Sequence, residues 1–332
     1  MKISVIVPVY NVAPYLQACL DSIANAIKNC KETEIEVLCI NDGSTDGSDE
    51  ILENNVDQNW GTLASYKIVN QCNLGVATAR NVALAASLGD WVLFLDADDI
   101  INSNTFSMFE RAIASSPDVQ MISFSLKRFV KHEDFISSHN GFPIVEVDVS
   151  KEIRRKDFDS YFTQYFYKRE IIGNTRFQSY VVGEDLLFKM ECLVKVKRIC
   201  ELPFPLYGYR IRDNSASHGK WSVRKLTDEL CYRADWIACV AKNNRKVAAS
   251  CYRATGLFIT EFFVSIILSV PAIERAGIWD VWFEKMQMFS MEKNFPLWSR
   301  LVMMICGASR SKTLSYILCA IPHKLKSIGF HR

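Results

Sequence analysis

The sequence predicts an α/β fold with a mostly parallel central sheet, helices on both faces of that sheet, and a helical C-terminal region. Short apolar runs alternate with helical patterns in the N-terminal part of the chain. That alternation is typical of parallel strands joined by crossover helices. After Lys220 the chain becomes apolar at helical spacing, so we place a domain boundary there, between residues 1–220 and 221–332.

The predicted elements follow each other in a regular order. β-Branched or apolar runs of a few residues indicate buried strands, and apolar side chains three and four residues apart indicate helices. In chain order these patterns predict strand 3–9, helix 14–28, strand 35–40, strand 66–70, helix 75–87, strand 91–95 and helix 102–114.

Turn and cap signals set the ends of several elements. Pro8 cannot donate a ladder hydrogen bond, so the first strand should end or turn there. Thr45 or Asp46 can cap the helix after the second strand. Gly89 follows the alanine-rich helix in the position of a C′ glycine. Residues 3–9 resemble a short signal peptide, but no small-residue cleavage site follows, and we interpret them as a strand.

Composition and charge exclude several classes of protein. The net charge is +2, and the chain has no basic arm and no zinc-finger spacing, so we expect no nucleic acid partner. The 11 cysteines are scattered without a C-x-x-C pair, which predicts reduced thiols in a cytoplasmic protein. No apolar run is long enough for a transmembrane helix.

Three polar clusters follow predicted strands. They are Tyr10–Asn11, Asn41–Asp42 and Asp96–Asp99. In parallel α/β sheets, ligands bind beyond the carboxyl ends of the strands. We therefore expect these clusters to share one edge of the sheet and to form a ligand site.

The pattern Asp96-Ala97-Asp98 places two carboxylates at a strand end. Hard cations such as Mg²⁺ and Mn²⁺ prefer oxygen ligands and bridge diphosphate oxygens while keeping sites open for them. A solvated acidic turn that caps the following helix would use the same residues, so the pattern alone leaves both interpretations open.

The other strand ends suggest a nucleotide site. Backbone groups beyond Pro8 can bind a flat heterocycle, and Asp42 can accept a hydrogen bond from a uracil-like base or form an Asx turn. Arg80 lies in a helix that opens at Gly75, where a helix N-terminus favours anions. A surface arginine on an amphipathic helix is the alternative for Arg80.

Six segments in this order resemble the family-2 inverting glycosyltransferases with the GT-A fold. They are ISVIVPVYN, INDGSTDGS, NLGVATARN, WVLFLDADD, VVGEDLLF and YGYRIRDNSASH, and they span about the first 220 residues. An NAD-binding Rossmann protein is disfavoured because no G-x-G-x-x-G follows the first strand. A nucleotidyltransferase is disfavoured because Pro-Val-Tyr-Asn stands where a glycine-rich basic loop belongs.

The resemblance implies a role for each matching residue. It assigns the uracil pocket to Val9, Tyr10 and Asn11, the base contact to Asp42, the ribose and diphosphate region to Arg80 and Asp96, and the metal to Asp98. It makes Asp185 the general base and Glu184 a neighbouring acceptor contact. It places Arg210, Ser215, Ser217 and His218 in the stretch that closes over the diphosphate, with His218 either a second metal ligand or a solvated side chain.

The resemblance also implies a reaction. We expect transfer of one hexosyl or N-acetylhexosaminyl unit from a UDP-sugar, with Mn²⁺ or Mg²⁺ as cofactor, in bacterial surface polysaccharide synthesis. The acceptor would be a saccharide or a lipid-linked saccharide. The Q-x-x-R-W motif of processive synthases is absent, which favours a single addition. A catalytically inactive nucleotide-sugar-binding protein of the same fold is the alternative function.

The C-terminal tail is basic and apolar together. Residues 293–332 contain seven lysines and arginines and no aspartate or glutamate. A basic amphipathic segment can lie on an anionic membrane surface, which would place the protein peripherally at the inner face of the cell membrane. Packing against the catalytic domain and a homodimer face are the other interpretations.

Overall fold

The computed structural model describes residues 1–56, 60–130, 135, 144–149, 152, 161–212 and 222–243. The chain divides into two compact units. Within the described residues, the first unit contains 1–179 and 195–212, and the second contains 180–194 and 222–243. The basic tail, with its membrane, packing and homodimer interpretations, lies outside the described residues, as does His218.

One sheet organises the first unit. Its described strands are β1 Lys2–Val9, β2 Glu34–Asn41, β3 Ala64–Asn70, β4 Trp91–Phe94, β5 Ile100–Ile101, β6 Met121–Phe129, β7 Val145–Val147, β8 Tyr165–Lys168 and β9 Ile199–Arg210. They lie in the order β3-β2-β1-β4-β8-β6-β9-β5, with β7 also pairing with β9. The strands β3, β2, β1 and β4 are mutually parallel. The α/β fold class is therefore confirmed.

The second half of the sheet is mixed. Strand β8 lies between β4 and β6 and is antiparallel to both, whereas β6 and β9 are parallel. The short strands β5 and β7 are each antiparallel to β9. The sequence did not predict the insertion of β8, because an apolar aromatic run indicates a strand without indicating its direction.

The described helices are α1 Ala13–Lys28, α2 Ser48–Asn54, α3 Val76–Ala86, α4 Thr105–Ser115, α5 Arg169–Ile172, α6 Glu184–Leu193 and α7 Val223–Asn243, with a 3₁₀ turn at Phe162–Gln164. Helix α1 buries Leu16, Leu20 and Ile23, the side chains whose spacing predicted it. No helix among the described residues combines the length and apolar character needed to cross a bilayer. The cysteines of the described ranges are free thiols.

The predicted role of Gly89 as a C′ glycine is wrong. Helix α3 ends at Ala86, and its C-cap Ser87 is extended, with φ −77° and ψ 142°. Glycine is needed at 89 for a different reason, since a Cβ there would lie 2.5 Å from the backbone nitrogen of Ser4. The Gly89 N–H donates to Ser4 Oγ at 2.8 Å, and Ser4 Oγ donates to the buried Glu36 at 2.6 Å. Close packing at the start of β1, not helix termination, therefore selects this glycine.

Candidate active site

The ends of the parallel strands are level with each other. Val9 pairs with Asn41, and Asn41 pairs with Asn70, so β1, β2 and β3 end together. The N–H of Asp42 donates to the carbonyl of Val9 at 2.8 Å, which joins the first two ends directly. The polar clusters that follow β1, β2 and β4 therefore lie at one edge of the sheet.

The loops after β1 and β2 are hydrogen-bonded to each other. Asn11 adopts a left-handed backbone with φ 50°. Its N–H donates to Ser44 Oγ at 3.2 Å, and its Oδ1 accepts from the Thr45 N–H at 2.8 Å. Val9 is buried in the core, whereas Tyr10 is 46% exposed. Of the predicted base-binding residues, Tyr10 and Asn11 are exposed, whereas Val9 and Asp42 are buried.

Asp46 fixes the start of two helices. Its carboxylate accepts the N–H of Ala13, at the beginning of α1, at 2.9 Å, and the N–H of Ser48, at the beginning of α2, at 3.1 Å. Although burial opposes the shift, the hydrogen bonds from Ser48 and Ala13 hold the pKa of Asp46 below its ordinary value. The N-cap residue of α2 is Gly47, so the predicted cap at Thr45 or Asp46 is wrong. Asp46 instead links the β2–α2 loop to α1.

Asp42 is buried and organises the start of α3. Its Oδ1 accepts Gln71 Nε2 at 2.7 Å and the Leu74 N–H at 2.9 Å, while Oδ2 accepts the Gly75 N–H at 2.9 Å. These long-range bonds are not a local Asx turn. A carboxylate has about four acceptor positions, so Oδ2 retains capacity for another donor.

Arg80 is buried, so it is not a surface arginine. One of its terminal nitrogens donates to Asp96 Oδ1 at 2.9 Å. Its guanidinium lies over the Phe162 ring at 4.4 Å and near the Phe177 ring at 5.3 Å. Aromatic faces attract a cation and restrict the guanidinium plane. Arg80 therefore positions Asp96, whose side chain remains 32% exposed.

Two arginines from the end of β9 and the residues after it contact Asp98. Arg212 forms an ion pair with its carboxylate. Arg210 Nε donates to its backbone carbonyl at 2.8 Å. The Arg210 guanidinium lies near two rings, 4.6 Å from the centre of Phe129 and 5.2 Å from that of Tyr15. The structure therefore brings the predicted residues Asp98 and Arg210 together and adds Arg212.

Asp99 and Tyr207 form a buried link beneath these residues. The Tyr207 hydroxyl donates to Asp99 Oδ2 at 2.7 Å and accepts the Asp96 N–H at 3.3 Å. The N–H of Arg210 donates to Asp99 Oδ1 at 2.7 Å. The sequence placed Asp99 in a polar cluster at the site without giving it a role, and it did not assign Tyr207 or Arg212 to the site. All three stand in the quoted segments, but their partners depend on how β9 pairs.

Two carboxylates after β4, those of Asp98 and Asp99, have a raised pKa. Burial is the largest cause of the raised pKa of Asp98, and repulsion from Asp96 adds to it, while Arg212 and Arg210 oppose it. Burial, followed by repulsion from Asp98 and Asp96, raises the pKa of Asp99 to about 8. A bound cation would reduce the repulsion between these carboxylates.

The donor set fits a cation that arrives with other ligands. No group of three or more histidine, cysteine, aspartate or glutamate side chains in the described ranges is arranged to hold a metal ion. Mg²⁺ and similar ions commonly use one or two protein carboxylates together with substrate phosphates and water. Asp98 and Asp96 meet that requirement, and the predicted second ligand His218 lies outside the described residues.

Glu184 and Asp185 open helix α6 in the second unit. The N-cap Gly183 is left-handed with φ 83°. The carboxylate of Asp185 is half-buried and accepts the Leu186 N–H at 2.7 Å. A Cβ on Gly183 would lie 2.1 Å from the Tyr232 ring of α7, so this start of α6 requires glycine. Ser215 and Ser217 lie outside the described residues.

The sequence profile of glycosyl transferase family 2 matches residues 4–175, which include β1 to β8 and the Asp96–Asp99 cluster. The chain belongs to glycosyl transferase family 2. This membership confirms the resemblance on which the residue assignments rest. The profile ends before Glu184 and Asp185, whose assignment rests on the motif alone.

Related proteins agree with the family and with the fold. The chain is 24% identical to the uncharacterized glycosyltransferase EpsJ of Bacillus subtilis (strain 168) over 80% of this chain and 77% of EpsJ. It is 30% identical to the glycosyltransferase GlyA of Streptococcus pneumoniae serotype 4 over 71% of this chain and only 35% of GlyA. The crystal structure of S. aureus TarS 1–349 in complex with UDP-GlcNAc is similar with a TM-score of 0.73 and 20% identity, over 100% of this chain and 93% of TarS 1–349.

Proposed function

We propose that this family-2 chain is an inverting, metal-dependent glycosyltransferase that moves one sugar from a UDP-sugar to an acceptor hydroxyl. The observation that carries this proposal is the group of carboxylates at the end of β4, held by Arg80 and Arg212. Carboxylate oxygens are suitable ligands for a divalent cation that also binds a diphosphate.

The donor's nucleotide belongs at the ends of β1 and β2. Tyr10 offers an exposed aromatic ring for a flat base, and Asp42 Oδ2 offers an acceptor for a base N–H. Asn11 holds the two loops together. The similar fold of TarS, crystallised with UDP-GlcNAc, supports a uridine nucleotide as the first ligand to test.

Asp98, with Asp96 beside it, would hold Mn²⁺ or Mg²⁺. Such a cation supplies positive charge to the departing diphosphate, which is electrostatic stabilisation of a leaving group. Arg80 keeps Asp96 in place, and Arg210 fixes the Asp98 backbone through its carbonyl. His218 remains our candidate for a further ligand.

Asp185 is our candidate for the general base. Its carboxylate takes the proton of the acceptor hydroxyl as that oxygen forms a bond to the anomeric carbon. The bond from the anomeric carbon to the diphosphate breaks, and its electron pair leaves with UDP. One displacement inverts the configuration and needs no covalent intermediate. Glu184, the preceding residue, would contact the acceptor. We propose that the acceptor is a saccharide or lipid-linked saccharide of a bacterial surface polysaccharide.

The cation site is tested with Asp98→Ala. Wild-type protein should bind UDP with a Mn²⁺-dependent affinity, and Asp98→Ala should lose that dependence because Asp98 would hold the cation. Isothermal titration calorimetry with and without Mn²⁺ measures this directly. Asp118→Ala, which removes an exposed carboxylate paired with Arg198, is the matched control. Retained metal dependence in Asp98→Ala would contradict the assignment.

The general base is tested with Asp185→Asn. The variant should bind UDP-sugar as the wild type does and lose transfer by at least about a hundredfold, since general base catalysis contributes that much or more. Radiolabelled transfer from a panel of UDP-sugars to saccharide acceptors provides the measurement. Asp235→Asn in the same unit, whose amide oxygen can still accept the Tyr180 hydroxyl, is the control. Full transfer by Asp185→Asn would show that another residue is the base.

A further inference from the structure

The two ion pairs at the β4 end differ in how firmly they are held. Arg80 is 6% exposed, and its guanidinium lies over two rings, so its pair with Asp96 is part of the packed core. Arg212 is 29% exposed and its guanidinium lies near only one described ring, that of Tyr15, at 5.5 Å. The second pair is therefore the more easily opened.

Arg212 is incompletely satisfied in this pair. Its Nε is buried and has no hydrogen-bond partner among the described residues. A buried donor without a partner reduces the net stability of the arrangement that contains it. The ion pair with Asp98 thus neutralises the carboxylate at some cost to the arginine.

Arg212 contacts the carboxylate oxygen Oδ2 of Asp98, the residue that our proposed function assigns to the cation. Asp96 is paired with Arg80. Arg210 donates to the backbone carbonyl of Asp98 and not to its carboxylate. A cation binding to Asp98 and the guanidinium of Arg212 would meet at one side chain, where their positive charges repel. The two cannot share Asp98 without a loss of electrostatic energy.

We propose that Arg212 occupies the cation's place at Asp98 when no donor is bound, and that a divalent cation displaces it. The released guanidinium is then free to bind the diphosphate, which arginine suits by its forked geometry. Free cation binds weakly because it must first displace Arg212, whereas a cation with a nucleotide offers the arginine a new partner. Cation and nucleotide therefore strengthen each other's binding, as linkage requires.

The test is the affinity of Arg212→Gln for Mn²⁺ alone. Removing the competing charge should tighten Mn²⁺ binding without nucleotide by about tenfold, because a ligand that must displace an internal competitor has a weaker apparent affinity. The factor by which UDP increases Mn²⁺ affinity should fall in the same variant. Electron paramagnetic resonance of free Mn²⁺ measures both quantities and does not depend on turnover. Arg198→Gln, which removes a surface arginine paired with Asp118 and Glu146, is the matched control.

The outcomes separate this inference from the proposed function on which it rests. If wild type binds Mn²⁺ through Asp98 but Arg212→Gln binds Mn²⁺ no more tightly, the proposed displacement of Arg212 is wrong. The assignment of the cation to Asp98 is then unaffected. If neither wild type nor variant binds Mn²⁺ with or without UDP, both proposals are wrong. Circular dichroism checks the fold of Arg212→Gln. Arg212→Lys keeps the charge but loses the forked guanidinium, so its Mn²⁺ affinity should lie between those of wild type and Arg212→Gln.

Discussion

The side chain of Tyr207 joins the carboxylate of Asp99 to β9. Its hydroxyl contacts Asp99 and the backbone of Asp96, and the ring is fully buried. Tyr207→Phe keeps the ring and removes only these two hydrogen bonds. We expect the free energy of unfolding to fall by about 1–2 kcal/mol, because Asp99 loses a partner in a buried setting.

The measurement for Tyr207→Phe is urea denaturation followed by fluorescence. Tyr209→Phe is the control, since Tyr209 lies two residues further on the same face and stacks on Tyr161 at 5.3 Å through its ring. That variant should change the unfolding free energy by less than about 0.5 kcal/mol. If Tyr207→Phe and Tyr209→Phe lowered the free energy of unfolding equally, the hydrogen bonds of the Tyr207 hydroxyl would contribute no more than an ordinary tyrosine hydroxyl does.

At the residue scale, the sequence predicts positions better than partners. Asp42, Asp96 and Asp98 could be placed at one edge because parallel strands carry their ends to the same side of a sheet. The bond between Tyr207 and Asp99 spans 108 residues, and it depends on the pairing of β9 with the two-residue strand β5. No local pattern indicates so short a strand, so these partners could not be predicted.

Helix α4 holds the entry to β2 through one carboxylate. Glu110 Oε1 accepts the N–H of Glu32 at 2.8 Å and of Thr33 at 2.9 Å, and Lys31 donates to the same oxygen at 3.2 Å. Burial opposes ionisation, but the bonds from Glu32, Cys30 and Thr33 together hold the pKa of Glu110 below its ordinary value. The carboxylate therefore contributes stability when it is ionised.

Glu110→Gln should show this contribution as a pH dependence. Because the folded pKa is lowered, the stability is fully present above the ordinary glutamate pKa and is lost as pH falls through the folded value. We expect wild type to exceed Glu110→Gln by about 1 kcal/mol at pH 7 and the difference to shrink toward pH 3.

Denaturation of both proteins at several pH values measures the difference. Glu34→Gln changes an exposed residue just after the same turn and should alter stability by less than about 0.5 kcal/mol at pH 7. A difference between wild type and Glu110→Gln that does not change with pH would contradict the prediction.

At the element scale, periodic patterns predicted the N-terminal half within a few residues. Helix α1 was expected at 14–28 and spans Ala13–Lys28, and β2 was expected at 35–40 and spans Glu34–Asn41. Helix α4 begins at Thr105 instead of 102, because residues 100–101 form β5 against β9. Elements set by local spacing are predictable, whereas those set by distant pairing are not.

At the scale of the whole molecule, the assigned residues belong to two units. Asp42, Arg80, Asp96 and Asp98 are in the first unit, and Asp185 is in the second. The motif segments follow one another along the sequence and give no indication of this division. Residues 180–194 belong to the second unit, although in the sequence they lie between two stretches of the first unit. Donor binding and proton removal should therefore respond to different substitutions.

Gly183→Ala tests that separation. Its φ of 83° disfavours alanine, and the new Cβ would collide with the Tyr232 ring of α7, so the start of α6 must shift. Asp185, our proposed base, lies in the first turn of that helix. We expect transfer to fall by at least about tenfold, since small displacements of a catalytic group reduce rates strongly. UDP affinity, which our proposal assigns to first-unit residues, should change by less than about twofold.

Gly61→Ala separates the collision from the backbone strain. Gly61 has a similar φ of 91°, and a Cβ there would meet only Ile27, at 3.8 Å. Left-handed alanine costs about 1–2 kcal/mol, so both variants should lose that much stability. Gly183→Ala should lose more stability than Gly61→Ala, and of the two variants only Gly183→Ala should lose transfer activity. Calorimetry measures UDP affinity, and a transfer assay measures activity, in both variants. If Gly183→Ala lost UDP binding as well as transfer, donor binding and proton removal would not be separable by unit.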